Sequence, residues 1–360
     1  MTEITRSSRR LPPWARSWEA LLCLALVVEI AVLGAINPAF LNFENLLFST
    51  SDFAHVIIAA IGLTLVIITG GIDISGVSVM GLASIVLGLG FVAGVPIGGA
   101  MVLALLAGAL AGALNGVVVA NTDVNPLVIT LATLFLFSGI ATGLPTLLDF
   151  LGFSAYNSGG FEAYQYEGIT GLPKVFTWLG TGSLGWVPLP LIITVLVALT
   201  ASWLLRATRF GRFLYFIGDS VNVARFSGVP VRRVLVAVYT LNGVTAAIAG
   251  LLLTAYFTSA RSDLGSEALL NIITAVVLGG TSIQGGSGSV LGTTLAGLVL
   301  GYLRQGLLSL GITSDVIPVI IGGLLAGSVV LKITLEKRRS TRANRAAYEA
   351  GRSAIETRIG

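Results

Sequence analysis

Chemistry that consumes a nucleotide needs a cradle for its phosphates, most often a GxxxxGK[ST] loop whose backbone amides and lysine hold them. The chain has three lysines, Lys174, Lys332 and Lys337, and none follows a glycine. No such loop exists, so the chain is expected to carry no ATPase site of its own. One histidine, His55, and one cysteine, Cys23, cannot assemble a metal-ligand set, and a lone cysteine excludes an internal disulfide. No GxSxG nucleophile elbow occurs. No catalytic residue, bound metal or resident cofactor is expected. What remains are carboxyls in apolar surroundings, where ionisable groups are costly and mark transport or proton paths. Glu29 and Asp73 are the candidates. Either carboxyl could couple an ion gradient, as in a stand-alone secondary transporter, or simply hydrogen-bond to a neighbouring helix.

Two glycine-rich stretches are more informative. "TGGIDISGVSVMG" (Thr69–Gly81) and "LGGTSIQGGSGSVLG" (Leu278–Gly292) each end one apolar run and begin another. Glycine permits left-handed backbone, and irregular backbone at membrane depth survives only where protein or a watery cavity satisfies it. The pair is read as lining a translocation path, through Gly70, Gly71 and Asp73 in the first and Gly279 and Gly280 in the second. Tight turns joining closely packed helices would use the same residues.

The elements that must position these residues are membrane spans. The chain is 360 residues long, 55% hydrophobic and only 11% charged, with a mean hydropathy of +0.93. Apolar runs of about 17–25 residues, enough to cross roughly 30 Å of hydrocarbon, recur at Trp18–Ile36, Phe53–Thr69, Val77–Ala93, Ile97–Ala120 and Leu127–Leu148. They continue at Leu189–Leu205, Val234–Phe257, Ala268–Ile283, Val290–Gln305 and Val316–Thr334. An all-α polytopic membrane protein of about ten transmembrane helices is expected, forming one domain over 18–334. Short tails, 1–17 and 335–360, flank it. The N-terminal arginines precede a run too long for a signal-peptide core, so a retained first span is expected.

Of the 21 Lys and Arg residues all but Lys174, Arg261 and Arg304 fall in three clusters: four before the first span, eight from Lys332 to Arg358 at the end of the last span and beyond it, and six in 206–233, namely Arg206, Arg209, Arg212, Arg225, Arg232 and Arg233. Positive residues near span ends stay cytoplasmic. Six spans precede the central cluster and four follow it, both even numbers, so N-terminus, central loop and C-terminus are expected inside. Anionic lipid headgroups suffice as the partner of this charge, and no nucleic-acid partner is expected. The segment 149–188 then lies outside; its Tyr156, Tyr164, Tyr166, Trp178 and Trp186 suit interfacial anchoring or a docking platform for an external partner.

These motifs together resemble the membrane permease subunits of bacterial ATP-binding-cassette importers for monosaccharides, the ribose-type branch. "GGIDIS" (Gly70–Ser75) is similar to the family's GGIDLS, and "GALNGVVVA" (Gly112–Ala120) to its GxxNGxxVA. "NPLVITLATLFLFSGIA" (Asn125–Ala141) is similar to PxFIVTLATxxxxxG. "TRFGRFLYFIGDSVNVARFSGVPVRRV" (Thr208–Val234) resembles FGRxxYAIGxNxxAAxxSGIxVxRV, and "AVVLGGTSIQGGSGSVLGT" (Ala275–Thr293) resembles AVVLGGTSxxGGxGSxxGT. Two departures stand out: GVS at Gly76–Ser78 replaces the family's VGS, and Ser220 or Asn222 stands for its IGxN asparagine. "SARSDLGSEALLNIITAVVLGG" (Ser259–Gly280) is most like permeases of autoinducer-2 and rhamnose-type systems.

The resemblance implies half of a translocation pathway in a bacterial cytoplasmic (inner) membrane. Its partners would be a second permease subunit, identical or paralogous, cytoplasmic ATP-binding subunits that use the ATP, and an extracytoplasmic solute-binding protein. It also implies that 219–228 is a coupling helix contacting the ATPase, with Asp219, Ser220, Val221, Asn222, Ala224, Arg225 and Gly228, and Arg212 before it. The residues agree: Asp219 can cap the start, and Gly228 can take a left-handed stop with Pro230 just beyond. A plain basic loop at the lipid surface fits the same charges. Glu267 and Asn271, in "EALLN", are candidates near the outer entrance, and Asn115 and Thr130 along the path.

Overall fold

The computed structural model describes residues 18–150, 168–327 and 330. Nearly all of it is helix. In chain order the helices are α1 (Trp18–Ile36), α2 (Phe43–Ser49), α3 (Ala54–Ile68), α4 (Gly76–Val92), α5 (Ile97–Asn121) and α6 (Pro126–Phe150). After a short α7 (Lys174–Thr181) and a two-residue hairpin, β1 (Ser183–Leu184) with β2 (Val187–Pro188), comes α8 (Leu189–Ala207). Then follow α9 (Arg209–Asp219), α10 (Val221–Phe226), α11 (Val231–Phe257), α12 (Leu269–Leu278) and α13 (Val290–Ser309), and finally α14 (Ile317–Gly327).

Helix occupies each expected apolar segment, but not always at spanning length. α1, α5, α6, α8 and α11 are long and apolar enough to cross a membrane, and α2 with α3 forms one further candidate, bent by 58° at the join. α12 is the clearest difference from the sequence reading. It has ten residues, about 15 Å at 1.5 Å per residue, where a full span was expected over Ala268–Ile283. It stops at Gly279 because Gly280 turns to φ +90°, after which the chain has no helical partners until α13. The tails, the end of the last expected span, and Tyr156, Tyr164 and Tyr166 lie outside the described residues.

α11 is the core. Fifteen of its 27 residues are buried, and it packs on α3, α4 and α5. Between lipid-facing helices there is no hydrophobic difference to exploit, so close approach through small residues supplies the attraction. Gly108, Gly112 and Gly116 recur every fourth residue and form a bare stripe on α5. A Cβ at Gly112 would strike the Tyr239 carbonyl and Thr240 Cα; one at Gly108 would strike the Gly243 carbonyl, and Gly243 in turn lies on the Gly108 carbonyl. The backbones of α5 and α11 therefore touch directly. Outward faces carry Leu110, Phe135, Leu199 and Trp203, all largely exposed, as a lipid-facing surface requires.

Gly112→Leu should force α5 off α11 and lower stability by about 1–3 kcal/mol, the usual range for overpacking. The check is thermal unfolding of the detergent-purified protein, with Gly139→Leu as control because no atom lies within 4 Å of a Cβ there.

Candidate functional site: two broken helices and a basic hairpin

The first break joins α3 to α4. Gly70 adopts φ +81°, so the chain leaves the helix and runs irregularly to Ser75. Asp73 is 4% exposed and would be costly there without partners. Its Oδ1 accepts from the Ser75 amide at 3.0 Å and the Ser75 hydroxyl at 2.7 Å, and its Oδ2 accepts from Asn242 Nδ2 at 3.0 Å. Asn115 Nδ2 donates to the same Ser75 hydroxyl at 2.7 Å. From α6, the Thr130 hydroxyl donates to the Ile72 carbonyl at 3.1 Å and accepts from the Ile74 amide at 3.4 Å. Asp73, Asn115 and Thr130, picked out separately in the sequence, thus meet around one six-residue break. Asn242 completes the set and carries no sequence motif of its own. The Tyr239 hydroxyl lies against Gly71, and it and Asn115 Oδ1 are buried without a hydrogen-bond partner among the described residues.

The second break joins α12 to α13 and packs on the first. The Gly286 amide donates to the Ile68 carbonyl at 2.9 Å, satisfying an end of α3 that its own helix leaves open. Gly285 and Gly286 have φ of +90° and +73°. A Cβ at Gly285 would meet the Gly70 backbone and Gly218 Cα. Gly279 is pressed against Thr293, and Gly280 against the Trp18 ring, whose Nε1 donates to the Leu278 carbonyl at 2.7 Å. Of the glycines read as path-lining, Gly70 and Gly279 are points where backbone meets backbone, while Gly71 and Gly280 make room for the Tyr239 hydroxyl and the Trp18 ring.

A third element reaches the same spot. α9 is amphipathic, with Gly211, Leu214 and Ile217 inward and Arg209, Arg212 and Phe216 outward. Thr208 caps it, accepting from the Gly211 amide at 3.1 Å. Near its end a Cβ on Gly218 would strike the Ile68 carbonyl and the Gly286 amide, one on Gly286 would strike the Asp219 carboxylate, and the Tyr215 hydroxyl donates to the Gly288 carbonyl at 2.9 Å. α10 then projects beyond it. Ser220, not Asp219, caps α10, accepting from the Val223 amide at 3.4 Å. Asp219 is instead the last residue of α9, and the extended backbone needed at a cap falls on Ser220 at ψ 114°. Gly228 takes φ +78° as expected, and Val229 N donates to the Ala224 carbonyl at 3.0 Å. Ala224 is wholly buried beneath α10, among the apolar side chains that carry it. The exposed side presents Val221, Asn222, Val223, Arg225 and Phe226, the last 94% exposed.

Glu267 and Asn271 sit at the other end of the bundle, on the wall of a cleft of about 620 Å³ that Asp52, Tyr256, Arg304 and Gln305 also line. α3 separates cleft from breaks: it begins beside the first and ends in the second, 15 residues or roughly 22 Å apart. Arg261 and Arg304, which belong to none of the three basic clusters, both line this cleft. Glu29 takes part in neither region. Its carboxyl oxygens are buried without a partner among the described residues, so the expected bond to a neighbouring helix is not seen.

An apolar bundle whose broken helices converge on a basic hairpin is the frame of a transport permease. Residues 45–331 match the family of the branched-chain amino acid transport system / permease component, and the chain belongs to this family. It is 48% identical over 314 residues to the autoinducer 2 import system permease protein LsrD of Escherichia coli (strain K12), an alignment covering 87% of this chain and 91% of that one. The proteins of the same name from Shigella flexneri and Escherichia coli O157:H7 match with the same identity and coverage. No solved structure matches. The resemblance to importer permeases is thereby met, and the chain is a transporter component in a multi-pass membrane fold.

Asn242→Leu leaves Asp73 Oδ2 without its donor. It should cost roughly 1.5–3 kcal/mol, the range for a hydrogen bond to a charged group, and Asn242→Ser should recover part of it. Chemical denaturation in mild detergent reads both.

Proposed function

We propose that the chain is the permease subunit of an ATP-driven importer for a small sugar or sugar-like solute, autoinducer 2 in the first place. In this reading it forms half of the translocation pathway and takes its energy from separate ATPase subunits. One observation carries the mechanism: the exposed tip of α10 is tied through Gly218 and Asp219 to both helix breaks at once. At Gly218 the contact is backbone to backbone, with the Asp219 carboxylate seated on Gly286 beside it, so a push on α10 is passed on with little give. The broken spans receive it directly. Alternating access then follows from partners that favour one of two arrangements.

The partners in this reading are a second permease subunit, cytoplasmic ATP-binding subunits on α10, and a solute-binding protein at the cleft end. The basic clusters support a cytoplasmic hairpin and cytoplasmic tails in a bacterial inner membrane. The absence of a phosphate loop supports leaving ATP to the partner. A stand-alone ion-coupled carrier finds no support in the three relatives named above, each an import-system permease.

The outward Val223 and Phe226 have the form of an apolar anchor, and anchors of this kind dominate interfaces. Val223→Asp with Phe226→Ala should cut solute-stimulated ATP hydrolysis and uptake together, roughly tenfold, while Arg209→Ala stays within about twofold. ATPase and uptake assays on the reconstituted complex measure this; full activity in the double variant makes the hairpin a mere topology anchor. Orientation is checked separately. In a Cys23→Ala background, a membrane-impermeant thiol reagent applied to intact cells should label a cysteine at position 174 and spare one at 225.

A further inference from the structure

We propose that the cleft at the end opposite the α9–α10 hairpin is a binding site for a neutral, polyhydroxylated solute in transit, with Asp52 recognising a pair of neighbouring hydroxyls. The inference rests on the importer reading and adds the site and its chemistry.

Size comes first. About 620 Å³ lies in the usual range for small-molecule sites. The lining comes next. Asp52, His55, Glu267, Asn271 and Arg304 are planar polar groups that can bond two hydroxyls at a time, and Phe53 and Tyr256 add aromatic surface. Charge decides the class. Asp52, Asp263 and Glu267 line the cleft together with Arg261 and Arg304, and Arg261 pairs with Asp263. With both signs interspersed, no single-sign field selects an ion.

Asp52 is singled out by its partners. One carboxylate oxygen accepts from the Tyr256 hydroxyl and the other from Gln305 Nε2. Two donors, one per oxygen, are what a vicinal diol presents. The donors arrive from α11 and α13, 204 and 253 residues away, and Asp52 is held on a turn at the 58° bend between α2 and α3. A diol replacing them exchanges two hydrogen bonds for two. Recognition then comes without strong retention, as a conducting site requires.

The test uses the permease with its ATPase in nanodiscs, without binding protein, and saturation-transfer NMR with autoinducer 2, D-ribose and L-rhamnose as probes. The same complexes with binding protein in liposomes give solute delivered per ATP hydrolysed. Asp52→Asn should weaken the NMR signal at least fivefold and lower delivery per ATP, with Asp52→Glu recovering part. Gln305→Leu should do the opposite, tightening binding about twofold, because it removes a competing donor. A purely structural Asp52 would make both variants fall together. Unchanged signals in Asp52→Asn, or a fall in Gln305→Leu, overturn the site. If the unmodified complex imports none of the three probes, the importer reading fails instead, and the site with it.

Discussion

Three stretches of bare backbone meet at Ile68: the end of α3, Gly218 of α9, and Gly286 of the second break. The Gly286 amide satisfies the Ile68 carbonyl at 2.9 Å, and Gly218 leaves no room for any side chain between them. Inside a membrane a broken helix is tolerable only if its freed amides and carbonyls find partners in the protein. This contact meets that condition, and other features follow from it. Both breaks need glycine for the approach, α9 must end on Gly218–Asp219, and α10 must begin where it does.

The polar node around Asp73 follows the same logic. An isolated buried carboxylate is among the costliest groups a membrane protein can hold. Here it turns Ser75, Asn115 and Asn242 into a fixed frame, donated by the break itself, α5 and α11. The break is therefore a defined shape. The bundle holds it in place from three sides, with Thr130 of α6 as the third.

Much of this was legible in the sequence because the relevant signals are local. Apolar runs marked the helices, glycine pairs marked the breaks, and Gly228 with Pro230 marked the end of α10. The failures share a cause. Hydropathy runs straight through Gly279 and Gly280, so α12 read as a full span when it is half of one. Asp219 and Ser220 both make good caps, and only backbone geometry separates them. Asn242 sits in a long apolar helix, and its partner is 169 residues away. Asp52, Tyr256 and Gln305 are similarly scattered, and no spacing rule joins them. Phe226 was overlooked beside its arginine neighbours, since a six-residue helix is too short to show a periodic face. Ala224 was expected at the ATPase contact, but its small side chain serves the packing beneath α10 and not an outer surface.

The glycine stripe of α5 has a mechanical meaning. Side chains between helices act as cushions: they change rotamer and let one helix slide or tilt against another. Gly108, Gly112 and Gly116 leave no side chain of α5 to act as a cushion at three successive turns of the α5–α11 seam, which stiffens those two helices against each other. Motion of the bundle pivots about that pair. The parts free to swing are the ones joined to it through side chains or hinged at glycine, with the half-length α12 foremost among them.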